Sequence, residues 1–276
     1  MFLERLKKIQ LMRFLLILFF FISSLTYSQF SIEGTLVPNV KSDWVILYKV
    51  EGAKQNYLLN TKLVKDTLVI EGKKQPVAKF KFTLPETTKP GVYRITYRLK
   101  GVGFVDLVFN KENISFALNP DYPEQTISFS ESDENILYQN YLREISTAQQ
   151  QLDSIQVTAI RNPSINQKEA YQNALALVNN IQNAYTEASK GKYVQPFIVA
   201  TSRVNPKNIE TSGQEYMKNM TAKFFDKMDF KNETLLNSSF LVDRITDYVF
   251  YVNLASDEET QQQLYKNSVA TALSKI

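Results

Sequence analysis

"ISFSESDENILYQNYLREI", residues 127–145, is where this chain changes period. Before it, apolar residues alternate with polar ones; after it, they recur every three or four positions. Ser130 or Ser132 is placed to cap a helix here, with Glu131, Asp133 and Glu134 gathered near the positive end of its dipole. Tyr138, Tyr141, Leu142 and Ile145 then follow at i, i+3, i+4 and i+7, with Leu152 and Ile155 extending the stripe. The stretch ends a last strand and starts a helix, so the chain divides into a β half and an α half.

Working back from the junction, the period is two. "FSIEGTL" puts Phe30, Ile32 and Leu36 on one face, and "AKFKFTL" alternates Phe80, Phe82 and Leu84 with lysines. "GVYRITYRL" sets Tyr93, Ile95, Tyr97 and Leu99 against Arg94, Thr96 and Arg98. "DWVILYKV" is apolar on both faces, which suits a central strand. "GFVDLVF", "ENISFAL" and "QTISFS" follow at short spacing, separated by turns such as "LNPDYP". Seven to nine short strands of this kind predict an antiparallel β-sandwich over residues 29–130.

Working forward, the period stays helical over residues 131–276. "RNPSIN" breaks the first helix, and a second carries Tyr171, Leu175, Val178, Ile181 and Tyr185. "FIVAT" reads as a short buried segment. Met217, Met220, Phe224 and Met228 predict one further helix, Phe240, Ile245, Tyr248, Val249 and Val252 another, and residues 258–276 a last one. The expected class is α+β, a sandwich followed by helices packed as antiparallel hairpins.

The N-terminus predicts export. Arg5, Lys7, Lys8 and Arg13 precede nine uninterrupted apolar residues at 14–22, and Thr26 and Ser28 suit a cleavage site before Gln29. Residues 1–28 therefore read as a signal peptide, and the protein as one of the periplasm or cell envelope. Four of the 32 Lys and Arg and one of the 28 Asp and Glu lie in that leader, which leaves 28 against 27. So balanced a chain offers no electrostatic footprint for nucleic acid, nor for a membrane once the leader is gone.

The chain contains no Cys and no His. Thiol chemistry, Ser-His and Cys-His dyads and imidazole zinc sites are all excluded for this polypeptide. The acidic run "ESDE" lacks the glycine and ligand spacing of a calcium loop, and helix capping accounts for it without a metal. No cofactor or metal is expected. A carboxylate enzyme would require two facing acids in a deep cleft, a separation that sequence spacing does not report.

The order "FSIEG", "WVILY", "FKFTL", "GVYRITY", "ISFAL", then Ser132, Asn135, Tyr138 and Tyr141 as S-x-x-N-x-x-Y-x-x-Y, resembles one family. It is similar to the β-rich N-terminal domain of unknown function, with its helical segment, in Bacteroidetes TlpA/ResA-type thioredoxin-like disulfide reductases. The motifs cover about residues 29–145. In that family a thioredoxin-like domain with C-x-x-C follows, and this chain has no such motif. The resemblance implies a truncated product of a longer gene or a free-standing relative. It implies a non-catalytic accessory or binding region whose partner is a thioredoxin-like redox domain or another envelope protein. The alternative is a free-standing binding or scaffold protein for a peptide or glycan. Tyr138 and Tyr141 are the candidate binding residues, and the same spacing also suits tyrosines that pin the first helix to the sandwich.

Overall fold

A computed structural model describes residues 29–98, 103–252 and 254–276. The predicted signal peptide and the inward placement of Leu99 lie outside those residues. The described chain is mixed α+β, with two antiparallel-rich sheets from its first part and helices from its second.

The strands are β1 (Gln29–Leu36), β2 (Trp44–Glu51), β3 (Lys54–Lys62), β4 (Val64–Ile70), β5 (Lys73–Pro85), β6 (Gly91–Thr96), β7 (Phe104–Phe109), β8 (Ile114–Leu118) and β9 (Ser128–Glu131). The first sheet has the order β4-β5-β1-β8-β9 and the second β3-β2-β6-β7. Alternation decides what lies between them. Ile32, Leu36, Phe82 and Leu84 from the first sheet meet Val45, Leu47, Tyr93, Ile95 and Tyr97 from the second, all almost wholly buried. Each such side chain contributes about 1.5–3 kcal/mol by leaving water. At Gly34 the Phe80 ring of the paired strand lies where a side chain would be, 2.1 Å from the position of a Cβ, so only glycine fits.

One pairing departs from the expected antiparallel sandwich. β1 and β8 run parallel, with Ile32 opposite Ile114 and Leu36 opposite Leu118. β1 is apolar toward the core and sits in the middle of its sheet, where two neighbours bury its backbone. The strands β3 and β4 escape a reading by alternation because nearly every residue in them is exposed.

The helices are α1 (Pro123–Thr126), α2 (Asp133–Arg161), α3 (Lys168–Ala188), α4 (Gln195–Thr201), α5 (Gly213–Ala222), α6 (Glu233–Leu236), α7 (Phe240–Asp247) and α8 (Glu258–Leu273), with a π-helical turn at Tyr248–Val252. Tyr185, near the end of α3, meets Tyr141 and Glu144 near the start of α2, so the two run antiparallel. Their shared core does not stop at the helices. Val50, Val92 and Val108, on the outer face of the second sheet, belong to the same cluster as Tyr141, Leu152, Tyr171, Val178 and Ile198. The molecule is thus layered, with sheet, sheet and helices in turn.

The methionine stripe does not make one helix. α5 ends at Ala222, and the consecutive Phe224 and Phe225 both pack on Tyr248, at 5.2 and 4.5 Å between rings. Neighbouring residues of a helix diverge, so two of them reach one ring only if the helix stops. Among the described residues, no helix is long and apolar enough to cross a membrane.

Candidate functional site

The junction motif is built around α2's first turn. Ser132 caps the helix, accepting from the Asn135 backbone N–H at 3.1 Å. It does so at φ +127°, a conformation that costs a non-glycine residue about 1–3 kcal/mol. Its hydroxyl donates to Glu112 and accepts from Asn135 Nδ2 at 2.7 Å, which offsets that cost. Glu112 also accepts from the backbone N–H groups of Asp133 and Glu134, at 3.2 and 3.3 Å.

Asn135 does more than close a turn. Its side-chain amide accepts from Val108 N–H at 2.9 Å and donates to Val108 C=O at 2.6 Å, as a neighbouring strand's peptide group would. Beside it, the buried Glu134 carboxylate accepts from Asn110 Nδ2 at 2.7 Å, Tyr193 N–H at 3.0 Å and Val194 N–H at 2.8 Å. The chain entering α2 is therefore fastened to β7 on one side and to the segment before α4 on the other.

The two candidate tyrosines part company one turn on. Tyr141 is fully buried, its ring 5.4 Å from Tyr185 and its hydroxyl 3.2 Å from Ser202 Oγ. Tyr138 packs 6.0 Å from the Phe197 ring, and burial pushes its phenol up to about 12. Tyr138 also lines a groove of about 590 Å³, whereas Tyr141 does not.

That groove runs along the edge of the second sheet. One wall is five consecutive residues of β7, Phe104 through Val108; Tyr138, Leu142 and Arg143 of α2 form the other, and Ile127 and Phe129 close one side. Asn135 stands at one end of the β7 wall, and Gln139, in the other wall, donates its amide to the Ile127 carbonyl. Arg94 of β6 holds Asp106 in a bidentate pair, both contacts 2.6 Å, while its guanidinium lies 3.9 Å above the Phe104 ring. Asp106, chiefly, and Asp243 further off hold Arg94 firmly in its charged form. Both Asp106 oxygens are thus committed to Arg94. Asp243, Glu124 and Arg143 are the other ionised side chains of the wall.

The sequence spacing pointed to Tyr138 and Tyr141 as a pair at the junction and gave no sign of the β7 wall, beside which only Tyr138 of the two lies. The available signal was Asp106, one charge inside the otherwise apolar "FVDLVF". Among the described residues no three His, Cys, Asp or Glu side chains are grouped closely enough to hold a metal ion. The chemistry on offer is hydrogen bonding along a strand edge between apolar walls.

No protein-family model and no curated protein matches the chain. Among solved structures, the fimbrial anchor protein Mfa2 from Porphyromonas gingivalis is similar over 37% of this chain and 44% of its own, at 14% identity and a TM-score of 0.19.

Proposed function

We propose that this chain is a non-catalytic binding module of the cell envelope, and that the groove between β7 and α2 holds a polypeptide segment of its partner. The observation that carries this reading is the groove itself. At about 590 Å³ it has the size of a ligand site, and eleven of its twenty-two lining residues are apolar or aromatic, the other eleven polar or charged. The leader supports placement in the envelope, and the lack of any Cys or His supports binding rather than catalysis. The order of motifs through Ser132, Asn135, Tyr138 and Tyr141 supports a thioredoxin-like domain as the partner, in the same polypeptide or on another.

The test is a photo-crosslinking residue at Leu142, exposed on the groove wall, in the native cell envelope. The expected product is a crosslink to a polypeptide that carries a C-x-x-C pair, with little product from the same probe at Val69 on the opposite side of the sandwich. Equal yields from both positions would remove the groove as the docking site. A crosslinked partner without thiols would keep the binding role and end the redox association.

A further inference from the structure

The pairing of β7 fixes which of its peptide groups face the groove. In an antiparallel pair, opposed residues alternate between exchanging backbone hydrogen bonds and not doing so. Tyr97 N–H donates to Gly103 C=O, which continues the register that opposes Ile95 to Val105 and Tyr93 to Leu107. Those residues of β7 bond to β6. The intervening ones, Val108, Asp106 and Phe104, point their N–H and C=O groups away from β6, as the bonds from Val108 to Asn135 confirm. Asn135 satisfies the first of the three. Asp106 and Phe104 line the groove, and among the described residues no strand or side chain is paired to their outward peptide groups.

We infer that the free edge of β7 takes an extended peptide of alternating apolar and basic residues as a fifth strand of the second sheet, with the Asn135 amide as its register stop. This rests on the proposed binding role of the groove. Addition of a strand to an edge supplies main-chain bonds for affinity, and alternate side chains supply selectivity. Side chains opposite Val105 and Leu107 turn toward Ile127 and Phe129, an apolar surface. Those opposite Asp106 and Phe104 turn toward the helix-facing side; among the ionised side chains lining the groove, Asp106 is neutralised by Arg94, which leaves Asp243 and Glu124 against one cation, Arg143. With Arg94 spent on Asp106, the wall still favours cations on that side of the added strand.

The test uses the full chain and a capped, fluorescein-labelled hexapeptide of alternating Val and Lys. Two derivatives carry N-methyl groups on one or the other alternate set of amides, and a third replaces Lys by Glu. Anisotropy should show binding that one methylation pattern weakens about tenfold or more and the other leaves intact, since only one set faces the edge. The Glu peptide should bind more weakly. Saturating Val-Lys peptide should slow hydrogen exchange at the Asp106 and Phe104 amides, and Phe104→Pro should weaken binding without loss of the folded far-ultraviolet signature. Equal sensitivity to both methylation patterns, or no protection at Asp106 and Phe104, overturns strand addition. Tighter binding of the Glu peptide overturns the charge assignment. A peptide-free dimer with those two amides already protected assigns the edge to a second copy instead. If Leu142 still crosslinks a partner while the peptide series fails, strand addition falls and the binding role stands; failure of both removes both.

Discussion

The sandwich has two edges, and they are protected in opposite ways. The far edge, β3 and β4, is open to solvent, with Tyr57, Val64 and Val69 each more than half exposed. It is guarded by charge: Lys54, Lys62 and Lys65 stand along it, and Lys65 pairs with Asp43 while Lys79 of β5 pairs with Asp66. Lysine on an edge strand opposes pairing with another chain. The near edge, β7 and β9, carries no lysine. It is short, and α2 and its side-chain amides cover it. The chain thus has two means of closing an edge and applies neither at Asp106 and Phe104.

The largest effect that separates these arrangements is expected at high pH. Tyr93, Tyr97, Tyr138 and Tyr171 are held neutral by burial, each with its phenol near 12 against an ordinary value of 10. A raised value means that the native state resists ionisation. The stability this gives is complete below pH 10 and is lost as pH climbs toward 12. Absorbance at 295 nm should therefore rise together with cooperative unfolding in that window. Gradual ionisation with the fold intact would show that these phenols are reached by water.

Glu134→Ala comes next. It strips three donors of their shared acceptor, among them the buried Val194 N–H, and should cost about 3 kcal/mol in chemical denaturation. A loss below 1 kcal/mol would mean that the near edge is not locked at this point. Asn135→Ala should cost about 2 kcal/mol and add a third open peptide group to the edge, read as faster exchange of the Val108 amide. Unchanged exchange there would contradict the strand-like role of Asn135. Arg94→Met breaks the bidentate pair and leaves the partly buried Asp106 without its cation, for about 1.5 kcal/mol. Val69→Lys at the far edge should change stability by no more than about 0.5 kcal/mol, since its side chain is already in water. A large loss there would erase the contrast between the edges.

Much of this plan is legible in the sequence, and the failures have physical reasons. Period-two runs gave away the strands whose inner faces are buried, as with Phe80, Phe82 and Leu84. They did not reveal β3 or β4, because strands that bury as little as these, little more than Leu59 against the core, have scant reason to alternate. The parallel neighbour of β1 was hidden, since nothing local to either strand records which partner lies beside it. The motif S-x-x-N-x-x-Y-x-x-Y was visible, but the meaning of its Asn was not: Asn135 acts on Val108, 27 positions earlier. Spacing put Tyr138 and Tyr141 on one helical stripe. Which of them borders the groove depends on where β7 and α4 pack, and neither is encoded in the helix.

The parallel pair of β1 and β8 has a consequence for the order in which the molecule comes into being. Ser31 N–H already bonds to the side chain of Asn113, a separation of 82 residues, just where the two strands begin to pair. As the chain is delivered from its N-terminus, β1 lacks that neighbour until a further 82 residues have followed it. Throughout that interval an apolar strand destined for the middle of a sheet has an open flank. β8, the next to last strand, completes β1, the first, so the sheet closes by joining the two ends of the β region rather than by adding strands in order.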